Sequence, residues 1–169
     1  MVVVYLALGS NLGKREQNLF EAIHALNDNA CSVRLVSSIY ETEAKYVADQ
    51  PHFINMAIQA ETDLSAMDLL ILCKDIEKRM GRDFTEKRFG PRVIDIDILF
   101  YGSEIILSDD IVIPHPRIAE RRFVLEPLSE ISAEMVHPGS KKTVKTLLNE
   151  CRDTGKIRKI NSSISGISH

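Results

Sequence analysis

Val93-Ile94-Asp95-Ile96-Asp97-Ile98-Leu99-Phe100 is the stretch on which the reading of this chain turns. Its alternation predicts a strand, because successive side chains of an extended chain point to opposite faces. Ile94, Ile96, Ile98 and Phe100 then line one side, and Asp95 and Asp97 project from the other, about 7 Å apart along the backbone by strand rise. Upstream, Ser65 is an N-cap for a helix from Ala66 to about Met80, with Leu69, Leu70, Leu72, Cys73 and Ile76 as its apolar stripe and Gly81 as its stop. Phe53 to Gln59 and Val33 to Tyr40 read as two strands, separated by the polar, Pro51-bearing loop from Glu43 to His52. Leu19, Phe20, Ile23 and Leu26 predict a helix from Lys14 to about Asn27. The apolar run from Val2 to Leu8 predicts a buried first strand that stops at Gly9-Ser10-Asn11. Downstream, Gly102-Ser103 turns the chain into Glu104 to Leu107. Short helical turns are expected within Arg117 to Ile131, and a last helix from Thr143 to about Cys151.

The resulting order, β-α-β-β-α-β followed by a hairpin and a C-terminal helix, predicts an α+β, ferredoxin-like sandwich. With 169 residues, 44% hydrophobic and 27% charged, the chain has the composition of one globular domain that needs no disulfide or structural metal to fold. That domain is expected over residues 1–160, with 161–169 a flexible, Ser- and Gly-rich tail. The formal charge of −3 argues against a duplex-DNA binder. No apolar run approaches the ~20 residues of a membrane span, and Met-Val-Val-Val-Tyr does not read as a signal peptide. Cys31, Cys73 and Cys151 are isolated and form no C-x-x-C pair, so a reducing cytoplasm is expected. No strong apolar surface stripe marks an obligate oligomer, so a monomer is expected.

Two carboxylates as close as those of Asp95 and Asp97 repel one another unless a cation sits between them, and such hard oxygen ligands suit Mg²⁺. Alone, a D-x-D pair is more often a half-exposed strand. Here Arg82, Lys87, Arg88 and Arg92 precede it and His115, Arg117, Arg121 and Arg122 follow, so a chain acidic overall brackets its carboxylate pair with cations. Arginine forks and metal ions are the means of stabilising a phosphoryl-transfer transition state. Residues 82–91 read as a long loop, which inside a compact domain is often functional. Gly9-Ser10-Asn11-Leu12-Gly13-Lys14 is one residue short of a P-loop and carries Arg15 where Ser or Thr is required, so no Walker loop is present.

Gly9-Ser10-Asn11-Leu12-Gly13, Asn55, Ile76-Glu77, Arg88-Phe89-Gly90-Pro91-Arg92-Val93-Ile94-Asp95-Ile96-Asp97-Ile98, Pro114-His115-Pro116 and Arg121-Arg122-Phe123-Val124-Leu125 together closely resemble the 6-hydroxymethyl-7,8-dihydropterin pyrophosphokinase family, from about Val2 to Leu148. The resemblance implies transfer of pyrophosphate from Mg-ATP to the hydroxymethyl group of a reduced pterin, releasing AMP, in folate biosynthesis. It implies that Asp95 and Asp97 hold two Mg²⁺ ions, and that Arg82 and Arg92 join them as catalytic residues. Glu77, Arg82, Arg92, Ile98, His115 and Arg121 match nucleotide-binding positions. Thr42, Phe53, Asn55, Phe89, Asp95 and Phe123 match the pterin pocket. Its partners are then small molecules, with no nucleic acid and no membrane.

The chain departs from that pattern at Phe84, where a second loop arginine is common, at Phe89, often Trp, and at Phe53, often Tyr. Glu43-Ala44-Lys45-Tyr46 replaces a proline-rich stretch. Three rivals compete. A single-stranded RNA-binding module shares the element order but would expose aromatics where this chain has aspartates. A metal-dependent phosphoesterase would hydrolyse nucleotide without pterin. A small-ligand sensor would have no use for the arginines.

Overall fold

A computed structural model describes residues 1–42, 52–81 and 93–160. Strands β1 (Val2–Ser10), β2 (Cys31–Val36), β3 (Ile39–Thr42), β4 (Phe53–Thr62), β5 (Asp95–Tyr101) and β8 (Ile157–Ile160) form one sheet. All its pairs are antiparallel, in the order β5-β1-β4-β3-β8, with β2 also pairing β4. β6 (Ile106–Leu107) and β7 (Val112–Ile113) make a separate hairpin. Helices α1 (Arg15–Asn27) and α2 (Ala66–Arg79) cover one face of the sheet. Helices α3 (Arg122–Ser132) and α4 (Val144–Glu150) cover the other.

The alternating pattern drives this layering. Val4, Leu6 and Leu8 of β1, Ile54, Met56 and Ile58 of β4, and Ile96 and Ile98 of β5 pack with Leu19, Ile23 and Leu26 of α1 and Leu69, Cys73 and Ile76 of α2. On the reverse face Tyr5, Ala57, Leu99 and Phe100 meet Val124, Leu125 and Leu128 of α3 and Val144 and Leu147 of α4. Ser65 caps α2 by accepting from the Asp68 N–H at 3.1 Å, and Thr143 caps α4 through the Thr146 N–H. Gly81, with φ of +98°, ends α2 in the left-handed region that a Cβ disfavours.

Four details differ from the sequence reading. The stretch expected as one strand from Val33 to Tyr40 is two, because Ser37 Oγ takes the Ala57 N–H at 2.9 Å in place of a backbone carbonyl and breaks the ladder. Phe100 faces α3 rather than joining Ile94, Ile96 and Ile98. The register skips Leu99, pairing Tyr5 with Phe100 and Leu6 with Ile98, and such a bulge turns every later side chain over. Short turns were expected between Arg117 and Ile131, yet a 3₁₀ turn (Ile118–Glu120) leads into α3, which continues through Pro127 because Val124, Leu125 and Leu128 bury a full apolar stripe. Strand β8 was not expected at all. The expected loop from Glu43 to His52 (all but His52), the loop at 82–91 and the tail at 161–169 lie outside the described residues.

Candidate active site

β1 runs between β4 and β5, and its register decides what meets. Gly9 lies opposite Asn55 on one side and Asp95 on the other, while Ala7 lies opposite Ala57 and Asp97. Residues directly opposite share a face, so both acids and Asn55 project on the α3 side, separated by a residue with no side chain or only a methyl. Asn55 and Thr42 are buried, and Asn55 Nδ2 donates to Thr42 Oγ1 at 2.9 Å. A Cβ built on Gly9 would stand 2.9 Å from Asn55 Oδ1 and 3.7 Å from a Phe53 ring carbon. Glycine is therefore what lets the Asn55 amide lie over β1.

β5 is an edge strand, so alternate backbone groups turn away from β1. One of these, the Ile96 N–H between the two aspartates, donates at 2.9 Å to Oε2 of Glu77, a side chain with no solvent exposure. Lys74 Nζ lies 3.5 Å from the other Glu77 oxygen. Glu77 thus fixes the strand that carries the acids. Burial first, and then the charges of Asp95 and Glu77, raise the Asp97 carboxyl well above the usual carboxylate range, and Arg121 only partly opposes this.

Arg121, at the N-terminus of α3, places its guanidinium 5.5 Å from the centre of the Phe123 ring. Its Nε is buried with no hydrogen-bond acceptor among the described residues. His115 donates its backbone N–H to Leu99 O at 3.1 Å, and its Nδ1 accepts from the Arg117 N–H at 3.2 Å. Burial and the Arg121 charge push its pKa down to about 4. The imidazole is therefore neutral at pH 7, with its proton on Nε2.

Of the residues singled out from the sequence, Thr42, Phe53 and Asn55 converge through the β3–β4 register, where Thr42 lies opposite Phe53. Asp95, Asp97, His115 and Arg121 form an electrostatically linked group, with Phe123 beneath the guanidinium. Ile98 contributes no side chain to this face: it is 6% exposed and packs with α1 and α2. Alternation from Ile96 turns its backbone amide to the outer edge. Arg82, Phe89 and Arg92 lie outside the described residues. Gly9 and Ala7 were given no role from sequence. Their signal was the small residues ending an otherwise bulky strand.

The acid pair fits a hard divalent cation. Two carboxylates share a face, and one is held toward its neutral form by burial and like charge, which a cation would relieve. Hard carboxylate oxygens of this kind are the donors that Mg²⁺ takes.

Fold and site together point to a class, the ferredoxin-like α+β enzymes of phosphoryl transfer. Residues 5–133 match the profile of 7,8-dihydro-6-hydroxymethylpterin-pyrophosphokinase (HPPK), and the chain belongs to that family. It is 45% identical over 134 residues to the 2-amino-4-hydroxy-6-hydroxymethyldihydropteridine pyrophosphokinase of Bacillus subtilis, covering 79% of this chain and 80% of that one. It is 39% identical over 147 residues to the enzyme of the same name from Aquifex aeolicus, covering 86% and 89%. A folate synthesis bifunctional protein of Arabidopsis thaliana is 50% identical over 128 residues, 76% of this chain but 26% of that protein. The chain likewise spans 18% and 20% of folic acid synthesis proteins from Pneumocystis carinii and Dictyostelium discoideum. Among solved structures, wild-type Plasmodium falciparum HPPK-DHPS with pteroate superposes with a TM-score of 0.71 at 17% identity, over 88% of this chain and 42% of that one, which establishes the ferredoxin-like fold. Among the described residues no helix is long and apolar enough to cross a membrane.

Proposed function

We propose that this chain transfers the pyrophosphoryl group of ATP to 6-hydroxymethyl-7,8-dihydropterin, releasing AMP, as a step of folate biosynthesis. One observation carries the reading: the Asn55–Gly9–Asp95 row puts the Asn55 amide, bonded to the Thr42 hydroxyl, on the same face of the sheet as the carboxylate pair. That geometry suits a flat, hydrogen-bonding heterocycle whose reactive arm must reach a polyphosphate.

In this reading Asn55 and Thr42 read the polar edge of the pterin, and Phe53, Phe89 and Phe123 pack its faces. Arg121, with its Nε still to be satisfied, holds a phosphate oxygen, and the neutral His115 donates from Nε2 without adding charge. The edge amide of Ile98 faces the nucleotide base. Glu77 acts at one remove, by fixing Ile96 and hence both aspartates. Arg82 and Arg92 close over the polyphosphate and exclude water, the competing acceptor. Asp95 and Asp97 would hold two Mg²⁺ ions, which when bound neutralise phosphate charge and acidify the hydroxymethyl group. The hydroxymethyl oxygen bonds to the β-phosphorus, the bond from that phosphorus to the oxygen bridging it to the α-phosphorus breaks, and the hydroxyl proton is lost to solvent. The protein works as a monomer of one domain, residues 1–160, in the cytoplasm.

A nucleotide assay with ATP and Mg²⁺, run with and without 6-hydroxymethyl-7,8-dihydropterin, tests this. AMP formed only with the pterin, matched by diphosphorylated pterin, supports it. ADP, or pterin-independent hydrolysis, overturns it.

A further inference from the structure

The ladder between β3 and β4 ends at the pair Thr42 and Phe53, two of the residues assigned to the pterin wall. The last pair of a ladder is where a sheet frays, yet recognition of a flat ring needs these side chains held to a fraction of an ångström. A clasp lies behind them. Glu41 is opposite Ile54, so its side chain is on the α1 face, the reverse of the face carrying Thr42 and Asn55. There Glu41 Oε2 accepts from Arg15 Nη1 at 3.1 Å, and the same Nη1 donates to the His52 carbonyl at 2.8 Å. Arg15 opens α1, so one guanidinium ties the residue before Thr42 and the residue before Phe53 to the start of a helix. Arg158 of β8 adds a second bond to Glu41, at 2.9 Å.

The bonds are unequal. The Arg15 and Glu41 side chains are 32% and 19% exposed, whereas Arg158 is 75% exposed. An exposed pair contributes little, and a sheltered one that also bonds a backbone carbonyl contributes more.

We infer that Arg15 and Glu41 are positioning residues for the pterin: from the reverse face of the sheet they hold the terminal Thr42–Phe53 pair in register. This rests on the pterin reading above. Both lie on the reverse face of the sheet from Thr42 and Asn55, so both act through the backbone. The charge of Glu41 is needed for the clasp, and the two arginines hold its carboxyl below the usual range.

The test is steady-state kinetics and thermal melting on the full chain for the wild type, Arg15→Ala, Glu41→Gln, the double variant and Arg158→Ala. Pterin-dependent AMP release by the wild type establishes the underlying reading; its absence removes that reading and this inference with it. Given that activity, KM for the pterin is expected to rise roughly ten-fold or more in Arg15→Ala, since a misplacement near 1 Å can cost up to a hundred-fold. KM for ATP and kcat should stay within about two-fold. Glu41→Gln should do the same, the double variant should be no worse than either single one, and Arg158→Ala should change little. An unchanged pterin KM in Arg15→Ala refutes the clasp. Additive effects in the double variant refute it too, as does an equal rise in both KM values with a large fall in Tm, which would mark a purely structural pair.

Discussion

Gly9→Ala separates what the candidate site requires from what the fold requires. Gly9 lies within β1 with no left-handed φ, so alanine suits its backbone. The new methyl would stand 2.9 Å from Asn55 Oδ1, with Ile54 O and a Phe53 ring carbon at a comfortable 3.7 Å. Only the Asn55 amide must therefore move, and moving it breaks the 2.9 Å bond to Thr42 Oγ1. Losing that bond costs about 1 kcal/mol. Replacing glycine inside a strand returns roughly 0.5–1 kcal/mol of backbone entropy. The two nearly cancel, and for a chain of this size Tm should move by no more than about 4 °C.

Recognition has no such compensation. In the proposed reading, an amide turned away from the heterocycle leaves a polar group of the ligand unpaired, at about 1–3 kcal/mol, or roughly 5- to 150-fold in Kd. Equilibrium binding of 6-hydroxymethyl-7,8-dihydropterin, followed by fluorescence beside a thermal melt, reads both quantities on one sample. Weakened pterin binding with an intact melt is the expected pair. Pterin affinity within two-fold of wild type would refute the placement of Asn55 over Gly9 as part of the pocket.

Three other outcomes follow from the electrostatics and the edge-strand bond. Asp97 has its folded pKa raised, so the metal-free native state binds a proton that the unfolded chain has lost, and stability falls as pH rises from the normal Asp value toward the raised one. Asp97→Asn should remove that slope, melt higher than wild type in EDTA near neutral pH, gain nothing from Mg²⁺ and lose nearly all turnover; a variant that keeps its rate would overturn the metal assignment. His115 is shifted the other way, down to about 4, so its stability contribution is present above pH 6.5 and is lost as pH falls toward 4. His115→Asn, whose amide oxygen can accept from the Arg117 N–H, should flatten the acid limb of a Tm-against-pH curve, and an unaltered limb would contradict the buried neutral imidazole. Glu77→Ala leaves the Ile96 N–H without its 2.9 Å acceptor, at about 1–3 kcal/mol. Glu77→Gln retains an oxygen there and should melt closer to wild type, and equal melts for the two would refute the strand-fixing role.

The parts of this molecule legible in the sequence are those decided by neighbours in the chain. Ser65 and Thr143 cap their helices through amides three residues on, and the alternation around Asp95 and Asp97 is local. Ser37 could not be read that way, because its partner is the Ala57 amide twenty residues distant. Nor could Phe100, whose face is set by a one-residue slip against β1, nor β8, whose Ile157–Ile160 looks apolar-and-basic until it meets β3. The site divides in the same manner. Its charged members announced themselves by type, and the family resemblance sorted them into roles. Gly9 did not, since what it supplies is the absence of a side chain beside Asn55. Nor did the strand-fixing role of Glu77, because the acceptor it offers to Ile96 exists only once α2 lies against β5. Both belong to one design. The small residues of β1 keep the α3 face beside the acids free of bulk, the edge amide of β5 is held by Glu77, and the two aspartates share that face, where burial and the neighbouring charge raise the Asp97 carboxyl. In the proposed reading a cation and a polyphosphate would meet groups that are already fixed, and so would bind there with little reorganisation.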